Sequence, residues 1–196
     1  MITEINVICQ INLLVVISAC HGQQFVNVVR PIDRSPMWGC IGPRVAIFDT
    51  ELLSAFKTFS KLLAEPNIRE ALEAIGGGMP AENKPFVLWP AEYFFLVAFK
   101  GYLELECSDQ RLAERAQSIA DQLMLSSGGQ VVLQREAVQQ IQLGLKDHER
   151  HFENFRHHFF MVDLYPDNET RFRVRFSLLS ETSNDPAANP GVPADN

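Results

Sequence analysis

"INLLVVISACHG", residues 11–22, is the stretch that decides how this chain is interpreted. Its first eight residues are almost continuously apolar and rich in β-branched side chains, which is typical of a strand buried on both faces in a parallel sheet. The apolar run stops at Ser18, and Cys20 follows two residues later. The sequence therefore predicts a buried strand whose C-terminal end leads to a cysteine.

A second short apolar run, "MWGCIGP" at residues 37–43, predicts another buried strand that ends at Gly42-Pro43. The 18 residues from Ala19 to Pro36 separate the two strands. Parallel strands need a connection of about a dozen residues or more. The spacing therefore predicts a parallel pair, and we expect an α/β fold.

Helical signals dominate the middle of the chain. Asp49 or Thr50 is a suitable N-cap for an amphipathic helix that Pro66 ends, and a shorter helix is expected to follow it. Pro90 and Ser108 stand at the starts of two further helical stretches. Helical periodicity then continues to about residue 156.

The C-terminal part has a different pattern. Residues 158–165 ("HFFMVDLY") and 171–179 ("RFRVRFSLL") alternate or nearly alternate between apolar and polar, and "PDNE" between them has turn composition. This pattern predicts a C-terminal β-hairpin. The last 16 residues, 181–196, are rich in Pro, Asn and Asp, and we expect them to be disordered.

The clearest boundary is the stretch Gly76–Pro80, where three glycines and a proline interrupt the helical pattern. It predicts an α/β domain over residues 1–78 and a linker over 79–86. A helical segment with the terminal hairpin would follow over 87–180, and the tail over 181–196.

Composition narrows the functional classes. Net charge is −7 and no two Lys or Arg residues are adjacent, which argues against a nucleic-acid partner. The apolar run before Cys20 is far shorter than the ~18 residues of a membrane helix, so no membrane partner is expected. Four scattered cysteines without a C-x-x-C pair indicate reduced thiols and a cytoplasmic location. We expect no cofactor and no bound metal.

The segment "SACHG", residues 18–22, resembles the Q-A-C-x-G signature of caspase-like cysteine peptidases. The following stretch over residues 37–75 is similar, in the order and spacing of its predicted elements, to bacterial caspase-like and CHAT-type domains. The resemblance covers residues 11–75, which is under half of the chain. It implies that residues 1–78 form the C-terminal half of a caspase-like three-layer sandwich.

The resemblance also implies a mechanism with Cys20 as nucleophile. Its thiolate would attack the carbonyl of a polypeptide substrate, and the backbone amides of Cys20 and Gly22 would stabilise the oxyanion. Ser18 and His21 would lie beside the substrate. Ser18 stands where the family has the glutamine that helps line an aspartate pocket, so aspartate specificity is not implied.

The general base of the family has no counterpart. It lies roughly 50 residues before the cysteine, on a separate strand, whereas only 19 residues precede Cys20 and none is a histidine. His21 cannot replace it, because consecutive side chains diverge. Three explanations are open: the sequence begins inside a longer coding region, the module is a degenerate remnant, or a partner completes the sheet. We expect this chain alone to have little or no peptidase activity.

Two other interpretations of Cys20 are open. It can be a buried thiol that ends a core strand. The residues Ile17–Cys20 also fit a bacterial lipobox, although the preceding residues lack the basic region of a signal peptide. Nearby, Arg30 can bind an acidic side chain of a substrate, or Arg30 and Asp33 can form a surface ion pair.

The remaining histidines are His148, His151, His157 and His158. The first two lie three residues apart and would share a helix face. No cysteine or pair of carboxylates completes a metal site, so a solvated helix face is favoured.

The alternative function is a non-catalytic protein-interaction module. The incomplete sheet would expose an apolar edge at residues 11–18 that a protein partner or a second copy of the chain could complete. An aromatic helix stripe, formed by Phe94, Phe95, Phe99 and Tyr102, would be core or a second contact surface.

Overall fold

A computed structural model describes residues 1–17, 25, 27–43, 50, 53, 57, 86–126 and 135–180. Within them the chain forms six α-helices, three strands and a 3₁₀ helix. The elements in order are α1 (Ile2–Ile8), β1 (Leu14–Val16), β2 (Gly39–Pro43), β3 (Phe86–Pro90), α2 (Ala91–Glu106), α3 (Asp109–Ser126), α4 (Arg135–Leu145), α5 (His148–Phe159), α6 (Asn168–Arg171) and the 3₁₀ helix Phe176–Ser180. The mixed α/β class is confirmed.

The described sheet has the strand order β1-β2-β3. Strands β1 and β2 are parallel, with Leu14 opposite Gly39 and Val16 opposite Ile41, which confirms the predicted parallel pair. All five residues of β2 are buried. Strand β1 is shorter than expected and only partly buried, because it lies at the edge of the described sheet instead of its centre.

Strand β3 was not predicted. It runs antiparallel to β2, from Phe86 opposite Pro43 to Pro90 opposite Gly39. Phe86 falls in the predicted linker, but its side chain is buried. The described parts of the predicted segments 1–78 and 87–180 thus share one sheet. The domain division itself depends on residues that lie mostly outside the described ranges, and it stays a prediction.

The two predicted helix starts are confirmed. Pro90 is the N-cap of α2, with an extended backbone (φ −74°, ψ 162°), and the helix begins at Ala91. Proline suits such a position because its missing N–H would have no partner in the first turn. Ser108 precedes α3, and its Oγ accepts a hydrogen bond from the Arg111 N–H at 3.3 Å.

Aromatic side chains form the main core. Phe95 of α2 packs against Phe152, Phe159 and Phe160, with ring centroids 5.1–5.4 Å apart. Trp89 joins the same cluster from β3. We call this cluster the aromatic core. It places α2 and α5 against one another and against the sheet.

The predicted C-terminal hairpin is wrong. Residues 158 and 159 complete α5, residues 168–171 are helical, and residues 176–180 form the 3₁₀ helix. The physical reason is packing: Phe159 and Phe160 lie at the end of α5 and enter the aromatic core, where Phe160 stacks on Phe172 at 4.7 Å. The turn composition of "PDNE" is used to start α6, with Asp167 as its N-cap.

Several other expectations fall outside the described residues. They are the helix predicted after Asp49, apart from Thr50, Leu53 and Lys57, the shorter helix that follows it, and the tail over 181–196. The caspase-like sandwich depends on the first two and is therefore not established by the described elements. None of the described helices has the length and hydropathy needed to cross a membrane.

Candidate functional site

The predicted catalytic segment follows β1 and Ile17 in the chain. Ser18, Cys20, His21 and Gly22 are all outside the described residues. The last described residue before them is Ile17, whose N–H donates to the carbonyl oxygen of Ile41 at 2.8 Å. The parallel pairing therefore continues to within three residues of Cys20. In open α/β sheets, ligands gather at this carboxyl end of parallel strands.

Two of the histidines considered as metal ligands, His157 and His158, lie near the opposite end of β1. The Leu13 N–H, at the start of the strand, donates to Asn6 Oδ1 at 3.1 Å, and Asn6 Nδ2 donates to the Ser35 carbonyl at 2.9 Å. The Ser35 N–H in turn donates to the carbonyl of Phe159 at 2.9 Å. This chain of bonds places the C-terminal end of α5, which carries His157 and His158, beside the amino end of β1.

The other two histidines are oriented by helices instead of the sheet. His151 Nε2 lies 3.2 Å from the carbonyl oxygen of Gly144 in α4. His148 is half-buried, and its Nε2 has no hydrogen-bond partner in the part of the chain that the structure describes. The solvated face expected for these residues is thus found only at His157 and His158, which are exposed. Within the described ranges, no group of three or more His, Cys, Asp or Glu side chains could hold a metal ion.

The described cysteines are Cys9, Cys40 and Cys107, and all three are free thiols. Burial raises the pKa of Cys40 to about 12, so its reactive thiolate form is scarce at neutral pH. Cys9 and Cys107 are half-buried. These three side chains supply an internal reference for the reactivity of Cys20.

The aromatic helix stripe is core. Phe94, Phe95 and Phe99 are at most 1% exposed. Only Tyr102 is half-buried, and its hydroxyl accepts a hydrogen bond from Arg115 at 3.1 Å. Of the two contact surfaces considered from the sequence, the aromatic stripe is therefore buried and does not form a contact surface.

The backbone of β1 presents that edge. The Leu13 carbonyl accepts a hydrogen bond from the N–H of Trp38, the residue before β2. The Ile17 N–H donates to the carbonyl of Ile41 in β2. Because backbone groups alternate in direction along a strand, those of Leu14 and Val16 point to the other side. Within the described sheet β1 pairs with β2 alone, and Val16 is 38% exposed.

The cluster that the exposed Arg171 forms with the buried Glu92 was not predicted from the sequence. Arg171 donates to the carbonyls of Gln10 and Ile11 at 3.1 and 3.0 Å and to Asn12 Oδ1 at 2.8 Å. Glu92 is buried beside it, and among the described residues Oε2 of Glu92 has no hydrogen-bond partner. Burial raises the pKa of Glu92 and outweighs the opposing effects of its own backbone N–H and of Arg171. The only sign of this cluster in the sequence is the position of Glu92, two residues after Pro90 at the start of an apolar helix.

A surface pocket of about 260 Å³ lies beside α1 and is lined in part by Ile2, Arg30 and Arg34. The Arg30–Asp33 ion pair, at 2.8 Å, confirms one of the two sequence interpretations and is exposed. Arg34 forms two hydrogen bonds with Asp163, at 3.0 and 2.6 Å, and lowers the pKa of that carboxyl. Both cations are thus neutralised by protein carboxylates, which leaves no charged group dedicated to a ligand among these described lining residues.

Comparison of the chain with protein-family models, with curated proteins and with solved structures found no match. The resemblance to caspase-like peptidases therefore rests on the sequence motif and the order of elements alone. The geometry of the described residues has to carry any further functional argument.

Proposed function

We propose that this chain is a non-catalytic protein-interaction module that associates through the open edge of β1. The observation that carries the proposal is the outward direction of the Leu14 and Val16 backbone groups at the edge of the described sheet. Such an edge is a template for strand addition, in which backbone hydrogen bonds supply the affinity.

The sequence of the edge favours pairing. Strands that must not associate are often protected by Lys or Pro, but residues 11–18 contain neither. Two copies of β1 can pair antiparallel around a two-fold axis, since one edge is then complementary to itself. A second copy of this chain is accordingly the partner we propose.

The test compares two substitutions at one position. Val16→Pro removes an outward N–H and leaves the inward bonds to β2 in place. Val16→Thr keeps the N–H and a β-branched side chain and is the matched control. In sedimentation velocity over a wide concentration range, wild type and Val16→Thr should dimerise, whereas Val16→Pro should remain monomeric with an unchanged circular dichroism spectrum. A monomeric wild type, or dimers of all three proteins, would contradict the proposal.

A cysteine-peptidase-like ancestry is the second candidate, favoured by the parallel β1–β2 pair that leads to Cys20. In this proposal Cys20 is the nucleophile position. The backbone amides of Cys20 and Gly22 stabilise the oxyanion, and Ser18 and His21 lie beside a polypeptide substrate. His157 and His158 lie at the wrong end of β1 to act as the base. Turnover by this chain should therefore be negligible and unchanged by Cys20→Ala.

Thiol labelling separates the two candidates. If Cys20 retains an activated position, iodoacetamide should modify it at neutral pH well before Cys9, Cys107 and the buried Cys40, as mapped by peptide mass spectrometry. Slow labelling of Cys20, comparable with Cys40, would remove the support for a peptidase-like site. Robust cleavage that depends on Cys20 would instead overturn the non-catalytic proposal.

The cytoplasmic location expected from the sequence belongs to the same proposal. Its support is that Cys9, Cys40 and Cys107 are all free thiols, as is usual in a reducing compartment.

A further inference from the structure

Residues 172–175 connect α6 to the 3₁₀ helix, and Phe172 at their start has φ −110° and ψ 86°. Phe172 and Val174 are 1% and 4% exposed and pack in the aromatic core. Arg173 and Arg175 alternate with them and are exposed. This period of two is the burial pattern of a β-strand that lies on a core with one face in solvent. The alternation that suggested a hairpin was thus a correct signal for extended backbone, but no described strand pairs with it.

Among the described residues, the N–H groups in the interior of this segment have no backbone partner. Hydrogen bonds are present at its two limits, where the Phe172 N–H donates to Asn168 and the Arg175 carbonyl accepts from Leu178, at 3.0 Å each. Between these limits, no described group bonds to the N–H groups of Arg173, Val174 and Arg175. A segment of this kind offers the same template as a sheet edge.

The two outward cations also have no partner of opposite charge. Arg173 donates only to the Thr170 carbonyl, at 3.0 Å, and no described carboxylate lies in ion-pair distance of Arg173 or Arg175. In contrast, Arg34 and Arg156 are each paired with carboxylates at 2.6–2.8 Å. In a chain with a net charge of −7, these two arginines place positive charge on one face of the segment.

We propose that residues 172–175 bind an acidic, extended peptide segment of a partner protein by strand addition. Side chains two residues apart on one face of a strand are separated by roughly 6.5–7 Å. Asp or Glu at alternate positions of the peptide therefore matches Arg173 and Arg175. Since the N–H groups of Arg173 and Arg175 point to one side of an extended segment, the peptide backbone can accept hydrogen bonds from both, whereas the N–H of Val174 points to the other side. This surface contains no residue of β1, and it is proposed independently of dimerisation through that strand.

Fluorescence anisotropy with labelled synthetic peptides tests the proposal on the full chain. The probe alternates Glu and Val. A second peptide of the same composition has its Glu residues in one block, and a third has Lys in place of Glu. The wild type should bind the alternating peptide at least about tenfold more tightly than the block peptide, equivalent to about 1.4 kcal/mol. It should not bind the Lys peptide, and added salt should weaken the binding.

Protein variants locate the binding surface. The double variant Arg173→Glu/Arg175→Glu should lose binding by at least about tenfold, whereas Arg150→Glu, which changes an exposed arginine of α5, should bind like wild type. Circular dichroism and urea unfolding of the double variant check its fold. If it is unfolded, Arg173→Gln/Arg175→Gln replaces it with the same expectation. Val16→Pro should bind normally, so failure of the β1 proposal would not be mistaken for failure here.

Three results would overturn this inference. They are an absence of binding to the alternating peptide, equal binding of the block peptide, and unchanged binding by the folded double variant. Equally tight binding of a single-stranded oligonucleotide would show a general anion-binding surface and would also overturn it.

Discussion

Helices α2 and α3 follow one another in the chain and have similar lengths, 16 and 18 residues, but they bury very different surfaces. Helix α2 buries seven residues, among them Phe94, Phe95 and Phe99. Helix α3 buries three, namely Leu112, Ala116 and Ala120, and leaves Leu123 and Leu125 exposed. The first helix belongs to the aromatic core, whereas the second packs on α4 through a small aliphatic cluster.

This difference shows how two helices of one chain acquire different roles. A helix that is apolar over most of its circumference must lie inside a protein, whereas one with a single apolar stripe can lie on the surface. Each aromatic ring also buries a large area and gains about 0.5–1.5 kcal/mol from each well-oriented ring pair. We therefore expect stability to be concentrated in α2 and α5, and the α3–α4 pair to open more easily.

The largest effect is expected from Phe95→Ala. The ring of Phe95 contacts four other phenylalanine rings, and its removal leaves a cavity that those rigid neighbours cannot fill. We expect a loss of about 4 kcal/mol in the free energy of unfolding, measured with urea. Leu105→Ala, on the same helix but 73% exposed, is the control and should change it by less than about 0.5 kcal/mol. A loss below about 1 kcal/mol in Phe95→Ala would contradict a central role for the aromatic core.

A smaller and more local effect is expected from Leu112→Ala. Leu112 is 1% exposed, but its cluster is small and can partly collapse, so the expected loss is about 2 kcal/mol. Amide hydrogen exchange should accelerate in α3 and α4 and remain slow in α2 and α5. Leu125→Ala, at an 81% exposed position, is the control. Equal acceleration in α2 would mean that the two regions unfold as one unit.

Glu92→Gln tests how a buried carboxyl group at the margin of the aromatic core affects the free energy of unfolding as pH changes. Burial raises the pKa of Glu92 in the folded state, so the folded protein holds this proton more tightly than the unfolded protein. The associated stability is present below the unfolded pKa and is lost as pH rises through the folded pKa. Gln is always neutral and avoids this loss. The stability of the variant relative to wild type should therefore increase as pH rises above the ordinary range of a glutamate.

The control for this pH series is Glu104→Gln, at an exposed position on the same helix. Its difference from wild type should show no comparable rise in urea unfolding experiments across the same pH range. A constant difference between Glu92→Gln and wild type would show that the carboxyl is not perturbed by its burial.

The smallest effect is expected at Gln10, in the turn between α1 and β1. Gln10 and Ile11 have φ of 53° and 56°, a left-handed conformation that is unfavourable for residues with a Cβ. Ile11 is held there because its side chain is 0% exposed in the aromatic core. Gln10 is exposed, so Gln10→Gly should stabilise the protein by a few tenths to about 1 kcal/mol in urea unfolding. Gln10→Ala should give no such gain, and equal stability of the two variants would argue against backbone strain.

Several parts of the fold could be predicted because their signals are local. The helix starts at Pro90 and Ser108 follow from the capping properties of those residues alone. The parallel pairing of β1 and β2 follows from two apolar runs with a spacing that suits a crossover. The burial of the aromatic stripe in α2 was one of the two outcomes considered, and its hydrophobicity is consistent with that result.

The candidate site was predictable only as a motif. The parallel pair that leads to Cys20 was expected, but the placement of His157 and His158 at the amino end of β1 depends on bonds through Asn6 and Ser35. No pattern in the sequence indicates this contact. The same applies to the cluster of Arg171 with Glu92, whose positions are far apart in sequence.

The sequence by itself determined the α/β class, the parallel strand pair, the positions at which two helices begin and the alternating burial of residues 172–175. These features depend on side-chain periodicity and caps within a few neighbouring residues. Only the tertiary structure decided that β3 would pair with β2, that Phe160 would enter the aromatic core instead of a hairpin, and that residues 172–175 would lie on that core without a partner strand among the described residues. The reason is that burial of large apolar side chains outweighs local turn and strand preferences, and this burial depends on contacts between distant parts of the chain.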